Sequence, residues 1–279
     1  MAAPWPRYEG RQALGRMMHG QDVLTGIPAT DLTTTTMGIT KLSVYEDDYF
    51  NDWHGRFYLG PQADNDFEIT AFDQETEPGL NPGKIAFKPA MSAAVVVTDY
   101  FEAYPEWSPA EMNDAINLAL SSIAEAAPQD KRDESITVVS SATWEYEIPA
   151  GFVNIRTVMM ESGTAGRFSP SLDTIDRKYW RILPGSPPKL WFDNNLASLT
   201  TGRRLRLIGQ QAPPLLTKDS DLCSVDQAYV LYQAKANLHF TRVLDANDDQ
   251  YRLMILAQAR ANEERQGLVA AAVGERVAF

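Results

Sequence analysis

Apolar residues recur along this chain with two different periods, one suited to helices and one to strands. After Met112, the positions Ala115, Ile116, Ala119, Leu120 and Ile123 follow at intervals of three and four, forming one stripe of a helix. Ser108, Pro109 and Glu111 precede that stripe as a capping box with proline at the first helical position. Pro128 bounds it, so a helix is expected over 108–127. A second helical pattern occupies 225–244, opened by Ser224 and Gln227 as another capping box. A third occupies 247–266 after the turn from Asp245 to Asp249, and Gly267 suits its C-cap.

Elsewhere the period is two. Residues 41–45 and 67–72 alternate apolar with polar, 84–88 and 95–101 read as further strands, and 73–83 as a long hairpin loop. Trp53, Phe57, Tyr58, Phe67, Phe72, Phe87 and Tyr100 would fill a small antiparallel barrel or sandwich over 41–107. Further strand candidates lie at 135–139, 142–148, 154–160, 179–183, 190–192 and 203–209, separated by prolines and glycines. In the last of these, Arg203, Arg204 and Arg206 mark a basic sheet face, to be solvated or ion-paired, with a phosphate contact as the weaker alternative.

The expected fold class is α+β: an N-terminal barrel or sandwich domain, then a helical-bundle core with a β-rich insertion. Residues 1–40, interrupted by Pro4, Pro6, Gly10, Gly15, Gly20, Gly26 and Pro28, read as an irregular arm. The core spans 108–267 with its insertion at 135–210, and 268–279 form an apolar tail suited to docking.

Composition narrows the class. The 44% hydrophobic content can fill a core across 279 residues, and the longest apolar runs are too short to span a bilayer. The N-terminus lacks the basic start and apolar stretch of a signal peptide. Cys223 stands alone, which excludes an internal disulfide framework and a multi-cysteine zinc site, and suits a small buried residue. These features point to a protein assembled in a cytoplasm, without membrane contact. The net charge of −12 concentrates in residues 1–107, where 16 acidic residues face 7 basic ones. Such a surface repels phosphates, which argues against tight general DNA binding and leaves two readings open, a channel that passes DNA or a solvated acidic face that serves solubility alone.

Candidate chemistry is sparse. His19, His54 and His239 lie far apart, and no nucleophile elbow, phosphate loop, zinc-protease or dinucleotide motif is present. Asp64, Asp66 and Glu68 resemble the opening of a calcium loop but lack its glycine and its closing glutamate. No catalytic residue, metal ligand or cofactor is expected, so the chain reads as a structural protein rather than an enzyme. A carbohydrate-binding role for Trp53, Trp180 and Trp191 competes with their use as core anchors.

The stretch 104–120, with Trp107, Ser108, Glu111, Ile116 and Asn117, resembles the opening helix of tailed-bacteriophage head–tail adaptor proteins. Residues 144–150, 205–209 and 214–221, the last running into the helix from Tyr229 to Leu238, extend the resemblance over roughly 104–265. It implies a ring, commonly twelve-fold, seated on a portal and carrying tail or nozzle proteins, with double-stranded DNA passing without specific binding. It also implies a virion component assembled in the bacterial host cytoplasm. Another tail structural protein, of the baseplate or fibre attachment, is the competing reading. Tyr229, Tyr232, Tyr251, Met254 and Leu268 are candidates for contacts between subunits, because these helices are apolar on more than one face. Glu111, Asp114 and Glu125 are candidates to line the channel, since no basic residue lies between Ser108 and Pro128.

Overall fold

A computed structural model describes residues 3–20, 23–39, 42, 45–74, 83–123, 128–163, 166–170, 172–193, 199–243 and 249–277, with side chains to 268. In chain order the elements are β1 (Trp5–Pro6), α1 (Arg7–His19), β2 (Leu24–Gly26), β3 (Thr36–Ile39), β4 (His54–Leu59), β5 (Asp66–Asp73), β6 (Gly83–Lys88), β7 (Tyr100–Tyr104) and α2 (Pro109–Ser122). Next come β8 (Gln129–Thr137), β9 (Glu145–Glu147), β10 (Phe152–Met160), β11 (Thr174–Ile175), β12 (Trp180–Leu183), β13 (Lys189–Phe192) and β14 (Arg204–Gln211). The chain then forms β15 (Leu222–Cys223), α3 (Gln227–Thr241) and α4 (Asp249–Val277). The class is α+β, with a curled antiparallel half-barrel sheet and four helices.

Two compact units divide the chain. Residues 1–122 and 214–279 form one, and 123–213 the other. The first therefore holds both the half-barrel and all four helices. Its sheet has the order β2-β7-β4-β5-β6-β3, every pairing antiparallel. Phe50, Trp53, Phe57, Phe67, Ile69, Phe72, Ile85, Phe87 and Phe101 are buried together on its concave side. Tyr58 and Tyr100, expected in that interior, are half-buried, and Tyr58 stacks on Tyr8 with ring centroids 4.9 Å apart.

β7 is buried on both faces, which period two makes readable. Phe101 and Ala103 join the aromatic core, while Glu102 and Tyr104 turn toward α1. The strand expected at 95–101 begins only at Tyr100. The Asp99 carboxylate accepts the backbone N–H groups of Val96 and Gln62, folding that stretch into a turn. Of the strand expected at 41–45, residues 41, 43 and 44 lie outside the described residues, as do 75–82 of the long loop.

The N-terminal region is not the irregular arm that its prolines and glycines suggested. Residues 7–19 form α1, whose buried face is Arg7, Gly10, Arg11, Leu14 and Gly15. That spacing is helical, but arginine and glycine occupy positions where a helix ordinarily shows apolar residues. Both glycines serve close approach: a Cβ on Gly10 would stand 2.2 Å from the Trp5 ring, and one on Gly15 2.2 Å from the Tyr104 ring. β1 pairs with β15, and Trp5 Nε1 donates to the Val225 carbonyl, so the first strand closes on the segment that leads into α3.

The capping box of α2 forms as the sequence indicates. Ser108 N donates to a Glu111 carboxylate oxygen at 2.8 Å, and Glu111 N donates back to Ser108 Oγ at 3.2 Å. α3 is capped differently from expectation, because Asp226, not Ser224, accepts the N–H groups of Ala228 and Tyr229. α4 does not stop at Gly267 but continues to Val277.

In the second unit, strands order as β11-β10-β14-β8 in one antiparallel sheet and β12-β13-β9 in another. Tyr146, Ile155, Val158, Trp180, Leu190, Phe192, Leu205 and Leu207 are buried together. Gly209 permits the close passage of β14 along β10, since a Cβ there would meet the Asn154 carbonyl oxygen at 2.1 Å.

Candidate assembly surfaces and the cluster that holds them

Three arginines and one aspartate knit the first unit together. Asp219 Oδ1 accepts Arg7 Nε at 3.1 Å and Arg11 Nη1 at 2.7 Å, while Oδ2 accepts Arg56 Nε at 2.8 Å. Arg11 also pairs with Glu102 and donates to Asn113 Oδ1 at 2.8 Å. Arg56 reaches Asp64 at 3.0 Å and Asp66 at 2.8 Å, and Asp219 N donates to Asp64 at 3.0 Å. One cluster thus binds α1, β4, β7, α2 and the segment before β15. Burial opposes the charge of Arg11, but Glu102 and Asp219 outweigh it and raise its pKa. Burial also opposes the charge of Asp219, yet Arg11 and Arg56 hold that carboxyl below its usual range. For fully buried Glu102, burial wins over Arg11 and pushes the carboxyl up.

This accounts for the acidic triplet read as an incomplete calcium loop. Asp64 and Asp66 bind Arg56, and Glu68 binds Lys88 at 3.2 Å. Among the described residues, no group of three or more His, Cys, Asp or Glu could hold a metal ion. A cleft of about 450 Å³ brings His54 beside Asp66 and Glu68, but both carboxylates are already engaged by those cations.

Both arginines of β14 are ion-paired: Arg204 meets Glu161 at 2.9 Å and Arg206 meets Glu134 at 2.8 Å, while Arg203, just before the strand, donates to the Ser162 carbonyl at 2.6 Å. Glu161 is held down at about 2, first by the Gly166 N–H and then by Arg204. Trp53 and Trp180 are buried core residues, and Trp191 lies half-buried beneath Arg181 at 4.3 Å. No helix among the described residues is long and apolar enough to cross a membrane.

The helices offer the more open surface. α3 packs against both α2 and α4. Across the first pairing, Tyr229 Oη meets Ser122 Oγ at 2.9 Å and Asn237 Nδ2 donates to the Ala115 carbonyl at 3.2 Å. Across the second, Gln233 and Gln258 exchange amide hydrogen bonds, and His239 Nδ1 meets Gln250 at 2.6 Å. Residue numbers rise on one helix as they fall on the next in both pairings, so α2 and α4 run parallel on either side of antiparallel α3. Burial on several faces of α3 follows, with Tyr229, Val230, Gln233, Ala234, Leu238 and His239 all enclosed.

The proposed contact residues therefore separate. Tyr229 is only 2% exposed and belongs to the chain's own core, because α3 is the middle helix. Tyr232, Tyr251, Met254 and Leu268 are half-buried. Leu253, also counted among these apolar positions from the sequence, is exposed, and sequence reasoning missed further open positions: Phe240 (67%), Leu256 (65%), Leu118 (57%) and Ile255. They break the stripe toward the core, and that mismatch was the available signal. Glu111 and Asp114 are exposed on α2, while Glu125 lies outside the described residues. On α4 the last fully buried side chain among those described is Ala261, and residues 262–267 are all exposed.

A family model described as SU10 adaptor protein matches residues 91–277, about two thirds of the chain. No curated protein matches it.

Proposed function

The chain belongs to the SU10 adaptor protein family, and from that premise we propose that it forms a ring at the phage head–tail junction, joining the portal to the tail. Membership makes it a phage adaptor and a structural virion component that associates with other virion parts. The finer reading is ours: a homo-oligomeric ring, expected twelve-fold, assembled in the host cytoplasm and carrying tail or nozzle proteins. DNA would pass through it without specific binding, and no catalytic step is assigned.

One observation carries this reading. α4 has 29 residues, about 43 Å at 1.5 Å per residue, yet its own chain encloses none of positions 262–267. Helices draw most of their stability from packing rather than from propensity. A helix continued this far beyond its own support is suited to docking on a partner, and the apolar run 268–273 adds to that suitability. The acidic balance of the first unit, 27 acidic against 14 basic residues, suits unhindered DNA passage.

Electron microscopy of the purified protein mixed with portal protein tests the assignment. A ring seated on the portal is expected, and its loss is expected when the chain is truncated after Ala261, with cooperative folding retained. Normal incorporation of that truncated chain into virions would overturn the reading.

A further inference from the structure

We propose that copies of this chain associate head to tail, the exposed face of α4 on one copy seating against the exposed face of α2 on the next. The inference rests on the ring reading and specifies which surfaces make the ring. Both faces are open and chemically matched. α2 presents Glu111, Asp114 and Leu118, and carries no basic residue along its length. α4 presents Arg252, Leu253, Leu256 and Arg260, so its apolar centre is flanked by cations. Among the described residues, the ion-pair partners of those arginines are exposed and intrahelical, Asp249 at 3.7 Å and Glu263 at 2.8 Å, and water and salt weaken such pairs.

The internal register of the bundle supplies the second argument. Ala115 lies opposite Asn237 and Ser122 opposite Tyr229, while Gln233 lies opposite Gln258 and His239 opposite Gln250. Carried across α3, these pairings set Asp114 level with Arg252, and Leu118 level with Leu256. A rotation about an axis parallel to the helices preserves level. With the ring axis along the helices, as this contact requires, Leu256 of one copy meets Leu118 of the next, and Arg252 meets Asp114, without any sliding. The two faces lie on different helices, so the contact is heterologous, the kind that generates a ring when its rotation closes. Asp114 then belongs to the contact between copies.

Two exposed substitutions, Leu118→Asp and Leu256→Asp, each disable one face and leave the other intact. Sedimentation velocity on the purified full chain is expected to show higher oligomers for wild type and monomers for each variant. An equimolar mixture of the two variants is expected to give dimers and to stop there, because each contributes one working face. Asp114→Arg and Arg252→Asp should each weaken association at least tenfold, and combining both in one chain should restore it to within about threefold of wild type. Circular dichroism checks that all variants fold. Oligomers that survive either leucine substitution, or a mixture that remains monomeric, overturn the contact while leaving the ring reading intact. A wild-type chain that stays monomeric at millimolar concentration also overturns it, and the junction role then depends on partner proteins alone.

Discussion

Arg11 and Asp219, 208 positions apart in sequence, meet through a 2.7 Å hydrogen bond inside the first unit, where neither side chain reaches solvent appreciably. Arg11 also compensates Glu102, which is equally buried. Two charges buried together are tolerable, whereas one left alone is costly, about 3–5 kcal/mol in comparable cases. Arg11→Met should therefore lower unfolding free energy by roughly 3 kcal/mol or more in urea titrations. Arg11→Met combined with Glu102→Gln should be less destabilised than the sum of the two single changes. Strict additivity would mean that the pair is not the energetic unit.

Acid stability should depend on Asp219. Its carboxyl is held below the usual aspartate value of 3.8 by Arg11 and Arg56 despite burial. A depressed folded-state pKa contributes stability above the unfolded value and loses it as pH falls through the folded one. Wild-type stability should thus fall as pH drops below about 4, where the unfolded chain begins to take up the proton first. Asp219→Asn should be less stable at neutral pH and show a shallower slope in that acid range. Parallel slopes, measured by urea unfolding at pH 2 to 5, would remove Asp219 from the acid response.

Much of this architecture is legible in the sequence because apolar spacing controls it. The α2 stripe, its capping box and the aromatic side of the half-barrel all follow from periodicity. What escaped was held by other forces. α1 presents arginines inward, and those arginines are understandable only once Asp219 and Glu102 are near. The open face of α4 is harder to read, because Tyr251, Leu253, Met254, Ile255 and Leu256 lie close together and their spacing does not say which of them is covered.

Glycines should divide into two classes under substitution. Gly15→Ala places a Cβ 2.2 Å from the Tyr104 ring, and that ring is itself fully buried and unable to retreat. Overpacking of this kind typically costs about 1–3 kcal/mol. Gly267 lies within α4 with nothing within 4 Å of a built Cβ, so Gly267→Ala should stabilise the helix by up to about 1 kcal/mol. Thermal melts of the two variants should shift in opposite directions, and a loss of stability in both would contradict this account of α4.

Cys223 offers a reporter for the closure of β1 on β15. It pairs with Trp5 across β1 and β15, is 3% exposed, and has its thiol pushed up to about 11, first by burial. Thiolate is the reactive form, so alkylation at pH 8 requires the β1–β15 region to open. Labelling should then proceed at the thiol's unfolded-chain rate multiplied by the fraction of molecules open. In wild type that fraction should be small, and iodoacetamide should modify Cys223 slowly until denaturant is added. Arg11→Met loosens α1, the element that follows β1 directly, and should speed labelling at least tenfold while other regions remain protected. The rate is measured by intact-mass spectrometry over time. If Cys223 reacts as fast in native wild-type protein as in urea, β1 and β15 do not hold together as their pairing indicates.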